Sequence, residues 1–196
     1  MSIALVTGGS RGLGRDMALK LAQSGHDVLL TYVSNPEAAE AVVAEIAGLG
    51  QRAHALRLDV AKAEDFPAFF ETVRAALRSE FDAERFDYLV NNAGIGLHRP
   101  FEETSVEDFD LMMNVHLKST FFLTQGALEL LNNGGGVVNV SSGLARFSFP
   151  GAAAYATMKG GVEVLTRYMA QTLGARGIRV NVLAPGAIAT DFNGGV

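Results

Sequence analysis

The 196-residue chain has a formal net charge of −5, with 48% apolar and 19% charged residues and no Cys. This composition is typical of a globular protein and excludes intrinsic disorder, disulfides and thiolate chemistry. Both signs of charge are scattered, so no nucleic-acid or membrane surface is expected. The sequence lacks a signal-peptide pattern and any apolar run of about 18 residues, which predicts a soluble cytoplasmic protein.

Strand-like and helix-like segments alternate along the whole chain. Short apolar runs predict strands at 3–7, 27–32, 53–58, 86–91, 136–141 and 178–183. Segments with helical spacing lie between them, near 12–24, 35–49, 62–80, 105–131 and 152–175. "TSVED" at 104–108 supplies an N-terminal cap for the fourth helix. The pattern predicts an α/β fold, a doubly wound parallel (Rossmann) sheet of order 3-2-1-4-5-6, as a single domain over 1–196.

A glycine loop, "TGGSRGLG" at 7–14, follows the first strand and opens a helix. Gly8, Gly12 and Gly14 allow a tight turn and a close backbone approach, and helix amide groups there would bind a pyrophosphate. Ser10 and Leu13 lie in the same loop and are predicted to contact the nucleotide. The spacing differs from G-x-G-x-x-G, and a simple strand-to-helix turn is the alternative interpretation.

The end of the second strand favours NADP(H) over NAD(H). An NAD site has an acidic residue about 20 residues beyond the loop, but here Tyr32 is followed by Val33 and Ser34. Asp27 and Glu37 are poorly placed to take that role. Arg11 would supply a cation for the 2′-phosphate, unless it is a solvated surface charge.

The stretch "AAAYATMKGG" at 152–161 places Tyr155 and Lys159 four residues apart among small residues. On a helix, positions i and i+4 share one face. A nearby ammonium favours the phenolate, so Lys159 is predicted to lower the tyrosine pKa toward neutral pH and make proton exchange efficient. The alternative is an ordinary amphipathic edge with a solvated lysine.

The glycine loop, "NNAG" at 91–94, Ser142, "YATMK" at 155–159 and "PGAIAT" at 185–190 occur in this order along one chain. Together they resemble the short-chain dehydrogenase/reductase family, from residue 1 to about Phe192. The sequence is most similar to the branch of 3-oxoacyl-acyl carrier protein reductases and bacterial ketoreductases.

The resemblance implies four catalytic residues. Tyr155 would exchange a proton with the substrate oxygen, and Lys159 would lower its pKa and hold the nicotinamide ribose. Ser142 would hydrogen-bond the carbonyl, and Asn114 would support a proton relay through the lysine. Taken alone, Ser142 also fits the end of a strand, and Asn114 a bond to neighbouring helix backbone.

Cofactor contacts are implied after the third, fourth and sixth strands. They are Asp59 and Val60 at the adenine, Asn91, Ala93 and Gly94 at the sheet centre and adenosine ribose, and Pro185, Gly186, Ile188 and Thr190 around the nicotinamide. Asp59 is also a common turn former.

The four histidines have no metal-like spacing, so no metal site is predicted. His98 lies in the loop after the fourth strand and is expected to be exposed rather than in contact with substrate. His116 is two residues from Asn114 and is expected to point elsewhere on its helix.

The predicted substrate is a small carbonyl or alcohol compound, contacted by loops 95–101 and 143–151 and the segment after Gly186. Phe147 and Phe149 would form an apolar wall or pack against a partner subunit. An acyl carrier protein is an open alternative, since Arg99, Arg146 and Arg176 are candidates for its acidic surface.

The resemblance also implies a homodimer or homotetramer through helices 105–131 and 152–175. Family members continue past "PGAIATDF" with a substrate-covering segment, a seventh strand and a final helix, which this sequence lacks. An NADP(H)-dependent carbonyl reductase or alcohol dehydrogenase is therefore predicted. A non-catalytic nucleotide-binding or interaction protein on the same fold is the alternative.

Overall fold

Six strands form one parallel sheet within residues 2–190 and Phe192, the part of the chain that the computed structural model describes. The sheet order is β3-β2-β1-β4-β5-β6, which confirms the predicted Rossmann topology. The strands are β1 Ile3–Val6, β2 Asp27–Tyr32, β3 Ala53–Arg57, β4 Phe86–Asn91, β5 Leu131–Val140 and β6 Arg179–Leu183.

Helices connect successive strands, as parallel pairing requires. They are α1 Gly12–Gln23, α2 Pro36–Gly48, α3 Phe66–Phe81, α4 Val106–Met112, α5 Ser119–Ala127 and α6 Ala153–Leu173. A π-helical turn, Met113–Lys118, joins α4 to α5 and is called the π segment below. Short 3₁₀ turns lie at Ala63–Asp65, Phe101–Glu103, Gly143–Ala145 and Gly174–Arg176.

Alternate residues of the central strands enter two separate apolar cores. Leu5 and Leu29 belong to the core that contains Phe69 and Phe70 of α3. The neighbouring strand residues Val6, Val28 and Leu30 instead pack with α1 and α2. Because successive strand side chains point to opposite faces, a strand covered by helices on both sides must be apolar at nearly every position.

The prediction of one continuous helix over 105–131 is wrong, because the π segment interrupts the helix and α5 ends before residue 131. Ser105 does cap α4, since its Oγ accepts a bond from Asp108 N at 3.1 Å. The helix then widens into the π segment and ends at Ala127, and β5 begins at Leu131. Leu131 pairs with the buried Phe86, and an irregularity follows before Tyr88 pairs with Gly136. Tertiary pairing thus converts the end of a helix-like pattern into a strand.

The carboxyl ends of the strands bring the candidate site residues to one edge of the sheet. Asp27 lies at the opposite edge, fully buried, where it accepts two side-chain bonds from Arg52 at 2.7 and 2.9 Å. Asp27 is therefore unavailable to a nucleotide, as the sequence predicts. Within the described residues, no helix combines the length and apolar character needed to cross a membrane.

Candidate active site

The glycine loop turns sharply between β1 and α1 and is anchored to β2. Gly8 and Gly12 have φ of +65° and +54°, a left-handed conformation that favours glycine. Gly8 N donates to Thr31 Oγ1 at 3.1 Å and Gly9 N to Thr31 O at 2.9 Å. The side chain of Arg11 gives α1 no capping bond, so the first helix amides point toward a place suited to an anion.

A second set of bonds joins the glycine loop to the loop after β4. Asn92 Nδ2 donates to Thr7 O at 2.9 Å and to Gly8 O at 3.3 Å. Thr7 Oγ1 accepts from Asn92 N at 2.9 Å and from Ala93 N at 3.0 Å. Gly14 packs directly beneath this junction. Thr7 and Asn92 lie within two of the predicted motifs, but their structural roles are visible only once β1 and β4 are neighbours.

The end of β2, where the adenosine ribose is predicted to bind, carries no carboxylate over residues 32–35. Tyr32 is half-buried, and Ser34 and Arg11 are exposed. Arg57, which the sequence analysis did not select, pairs in register with Tyr32. Its Nε donates to Val33 O at 3.2 Å, so a guanidinium lies beside the end of β2. No sequence motif marks Arg57; only the strand register places it there.

The residues predicted to contact the adenine and its ribose have different structural roles. Asp59 Oδ1 accepts from Ala61 N at 3.1 Å and so forms the turn after β3, while the Val60 side chain is buried in the core. Asn91 Nδ2 donates to Thr124 Oγ1 and Asn139 Oδ1 at 2.9 and 2.8 Å. Asn91 therefore braces the sheet centre, and its predicted contact with the cofactor stays a prediction, as do those of Ala93 and Gly94.

Tyr155, Ser142 and Lys159 meet where β5 ends and α6 begins. The Ser142 hydroxyl lies near the phenol of Tyr155, where it favours the ionised form of that phenol, and Ser142 Oγ accepts from Leu144 N at 3.2 Å. Lys159 is 5% exposed, and its Nζ donates to Val140 O at 2.7 Å. The same Nζ lies 5.6 Å from the centroid of the Tyr155 ring. The predicted one-face arrangement of Tyr155 and Lys159 is confirmed.

The predicted lowering of the Tyr155 pKa by Lys159 is wrong for the chain without a cofactor. Burial raises the pKa of the phenol, and the nearby Ser142 hydroxyl opposes that rise. Burial also lowers the pKa of the Lys159 ammonium from its ordinary 10.5 to about 8. The physical reason is that Lys159 is directed at the Val140 carbonyl rather than at the phenol oxygen, so desolvation dominates both groups.

His116, rather than Asn114, lies against Tyr155, so the expectation that His116 points elsewhere is wrong. The His116 and Tyr155 rings form an edge-to-face pair with centroids 5.0 Å apart. Asn114 is half-buried, and with the described residues its side chain makes no hydrogen bond. Its predicted role in a proton relay stays a prediction. The π segment shifts the helical register, which simple 3.6-residue periodicity does not reveal.

The segment after β6 lies beside the loop that carries Ser142. Gly143 N donates to Pro185 O at 2.8 Å, while Gly186 and Ile188 are exposed. Thr190 Oγ1 accepts from Phe192 N at 3.3 Å, and the Phe192 ring lies 6.4 Å from that of Tyr155. These contacts bring the predicted nicotinamide segment close to the catalytic residues.

An apolar cleft of about 270 Å³ adjoins the start of α6 and the loop after β5. Three exposed aromatic residues, Phe101, Phe147 and Phe149, line it. His98 is exposed, as expected, and packs edge-on against Phe149 at 6.2 Å between ring centroids. The aromatic wall predicted from two phenylalanines therefore contains a third, contributed by a different loop.

The arginines considered for an acyl carrier protein all have partners in the chain. Arg99 pairs with Asp108 at 3.3 Å, and Arg146 pairs with Glu163 at 3.2 Å. Arg176 donates to Asn133 Oδ1 at 2.8 Å and to the carbonyls of Leu128 and Leu131 at 2.9 and 2.5 Å. Arg176 therefore closes the turn before β5.

Gly14→Ala is expected to destabilise the loop junction. A Cβ at this position would lie 2.1 Å from Gly8 O and 2.4 Å from Asn92 Nδ2, and such overpacking costs about 1–3 kcal/mol. Gly48→Ala is the matched control, because no atom lies within 4 Å of its added Cβ; this helix substitution should stabilise by about 0.5–1 kcal/mol. Chemical denaturation measures both, and equal free energies of unfolding would contradict the close approach.

Lys159→Met is expected to stabilise the cofactor-free chain by about 2 kcal/mol at neutral pH. The lowered pKa corresponds to a burial penalty of about 3 kcal/mol, and loss of the bond to Val140 O offsets about 1 kcal/mol of this. Because the folded-state pKa is below the unfolded value, the penalty is complete below about pH 8 and is relieved as the pH rises toward 10.5.

Denaturation of Lys159→Met across this pH range should therefore lack the rise in stability that the natural chain shows. The exposed Lys20→Met is the control. Parallel stability profiles for Lys159→Met and the natural chain would contradict a strongly desolvated ammonium.

Comparison with known proteins agrees with the fold and with the arrangement of motifs. The family model described as short chain dehydrogenase matches residues 2–196. The chain is 40% identical over 191 residues to the hydroxynaphthalene reductase-like protein Arp2 of Metarhizium robertsii, covering 97% of this chain and 69% of that protein. It is 38% identical to the 3-oxoacyl-[acyl-carrier-protein] reductase FabG of Staphylococcus aureus, covering 96% and 75%.

A solved structure gives the same result. The landomycin C-6 ketoreductase LanV, crystallised with NADP and rabelomycin, is 39% identical and superposes with a TM-score of 0.92 over 95% of this chain and 76% of that one. A family match over nearly the whole chain, together with relatives of this identity, establishes the relationship. The chain belongs to the short-chain dehydrogenase family.

Proposed function

We propose that this chain is an NADP(H)-dependent ketoreductase that uses Tyr155 as its proton donor. The observation that carries the proposal is the meeting of Tyr155, Ser142 and Lys159 at the sheet edge that also carries the glycine loop. A binding module has no need of a buried lysine beside a half-buried tyrosine. The named reductases among the relatives give no support to the non-catalytic alternative.

The residues around the glycine loop fit NADP(H). Gly8 and Gly12 keep the loop backbone close to the helix α1 N-terminus, where amide groups would hold the pyrophosphate. The end of β2 has no carboxylate to repel a 2′-phosphate, and Arg11 and Arg57 are exposed there. The NADP bound to LanV supports the same assignment. Bound NADPH would supply the hydride for the carbonyl carbon.

Ketone reduction requires a proton and hydrogen-bond donors at the carbonyl oxygen. The raised pKa keeps Tyr155 protonated at neutral pH, as a proton donor must be. Ser142 would hold the same oxygen through its hydroxyl. Lys159 would stabilise the tyrosinate that remains after proton transfer, once its ammonium turns from Val140 O. The carbonyl thereby gains a hydride at carbon and a proton at oxygen and becomes a secondary alcohol.

The cleft beside α6 favours a ketone with an aromatic body. Phe101, Phe147 and Phe149 offer apolar rings, which stack on planar aromatic compounds. LanV was crystallised with rabelomycin, and Arp2 is described as hydroxynaphthalene reductase-like. A carrier-protein substrate has less support, because Arg99, Arg146 and Arg176 are bonded within the chain. A homo-oligomeric state and a cytoplasmic location remain predictions.

Tyr155→Phe is expected to lower kcat for ketone reduction by at least about 100-fold, the usual contribution of a general acid, while Kd for NADPH is unchanged. Fluorescence titration measures the binding of NADPH and NADH, and loss of NADPH absorbance with tetralone or cyclohexanone measures turnover. Tyr168→Phe is the matched control, since Tyr168 lies on the same helix and is 67% exposed.

Undiminished turnover in Tyr155→Phe would exclude Tyr155 as the proton donor. If the natural chain binds NADPH but reduces neither ketone nor a wider set of aromatic ketones, the reductase assignment fails and the nucleotide site stands. A preference for cyclohexanone over tetralone would contradict the proposal that the substrate is aromatic, and would leave the reductase assignment standing.

Arg57→Met is expected to raise Kd for NADPH by about 10-fold and to leave Kd for NADH unchanged. Loss of a charge-assisted bond to the 2′-phosphate costs about 1.5 kcal/mol or more, and NADH has no such phosphate. Arg78→Met is the control, because Arg78 pairs with Glu84 at 2.8 Å and both side chains are more than half exposed. An equal effect of Arg57→Met on both nucleotides would contradict a role in cofactor choice.

A further inference from the structure

His116 is a buried imidazole that the proposed reaction does not yet use. It is 2% exposed, and its Nε2 lies 2.8 Å from Ile95 O. A carbonyl oxygen only accepts hydrogen bonds, so Nε2 carries the proton and Nδ1 is a bare acceptor. Burial lowers the pKa of His116 to about 3, with the Lys159 charge acting in the same direction. The ring is therefore neutral at physiological pH.

The chain is shaped to admit this ring. A Cβ at position 94 would lie 2.9 Å from His116 Cε1 and 3.3 Å from Nδ1, so Gly94 leaves the space that the imidazole fills. Nδ1 is buried and has no hydrogen-bond partner among the described residues. An unpaired buried acceptor costs free energy. A position filled only for apolar packing would be better served by an apolar side chain.

The His116 ring connects two parts of the site. On one side its N–H holds the loop after β4 through Ile95 O. On the other side its plane stands at 85° to the Tyr155 ring, with centroids 5.0 Å apart. The π segment places it there, since His116 lies in the middle of Met113–Lys118. A single π turn commonly marks a functional position in a helix.

We propose, on the basis of the function proposed above, that His116 is a positioning residue that fixes the Tyr155 ring and ties it to the loop after β4. The hydrogen bond to Ile95 O holds the imidazole, and the edge-to-face contact with the imidazole holds the tyrosine. A phenol held in this way keeps its hydroxyl beside Ser142, where the carbonyl oxygen must arrive. His116 also keeps water from the inner side of the Tyr155 ring.

The surroundings of Tyr155 make this role measurable. The titratable groups that face it are Lys159, one turn along α6, and His116, from the π segment. Ser142 adds a neutral hydroxyl from the loop after β5. Because burial raises the pKa of Tyr155, a smaller side chain at position 116 would admit water and lower that pKa toward its ordinary value.

The test compares His116→Ala with His116→Gln, whose side-chain amide nitrogen takes the place of Nε2 as a donor to Ile95 O. Ultraviolet absorbance follows the titration of the tyrosines in each variant. Subtracting the titration curve of the same variant with Tyr155→Phe isolates the phenol of Tyr155 from the other three tyrosines. His116→Ala is expected to lower the phenol pKa and to reduce kcat by about 10- to 100-fold, the effect of a displaced catalytic group, with KM for NADPH unchanged. His116→Gln should recover part of that loss.

Leu123→Ala is the matched control, because Leu123 lies two turns further along, is 1% exposed and belongs to the core away from Tyr155. It should lower thermal stability without changing the phenol titration. An unshifted phenol in a folded His116→Ala chain, or no recovery in His116→Gln, would overturn the proposal.

If His116→Ala does not fold, His116→Phe replaces it and keeps the ring while removing the N–H. Natural kcat and phenol pKa in His116→Phe, or losses of equal size in His116→Phe and His116→Gln, would then overturn the proposal, and a loss in His116→Phe that is smaller in His116→Gln would support it. The titration needs neither cofactor nor substrate. Failure of the reductase assignment is therefore distinguishable from failure of the role of His116.

Discussion

A buried ammonium at the carboxyl end of β5 constrains the whole edge of the sheet that carries the proposed active site. Lys159 is almost inaccessible to water, and it is bonded to the Val140 carbonyl. Desolvating a charge is costly, so the fold keeps it there at the expense of stability. One helical turn earlier stands Tyr155, which is half-buried and lies near the Ser142 hydroxyl. The geometry of α6 therefore places the proposed proton donor and a cation close together.

Two sets of hydrogen bonds connect the end of the sheet that carries Tyr155 to the glycine loop. Thr7 and Asn92 join the glycine loop to the loop after β4 by four hydrogen bonds. Ile95, further along the same loop, accepts the bond from His116 of the π segment. The backbone of the glycine loop and Tyr155 are thus linked through a single loop. In the proposed reaction the hydride donor and the proton donor have to meet the same carbonyl group, and this link would fix their relative position.

The sequence predicts the features that depend on local pattern or on ordered motifs. Apolar strands, helical spacing and the glycine loop give the sheet order correctly, and the spacing of Tyr155 and Lys159 gives their common face. What it does not predict depends on contacts between distant segments. Leu131 is a strand residue because Phe86 pairs with it, Arg57 stands beside Val33 because of strand register, and His116 meets Tyr155 because a π turn shifts the helix.

Stereospecific transfer of deuterium from the cofactor to an aromatic ketone tests the central claim most directly. Incubation of the chain with tetralone and NADPH deuterated at C4 of the nicotinamide, on the transferred face, should give an alcohol with one deuterium at the carbinol carbon, detected by mass spectrometry. Two results would contradict the assignment of this site to hydride transfer. One is an alcohol without deuterium after both C4 faces have been labelled in turn, and the other is the absence of any alcohol while NADPH is bound.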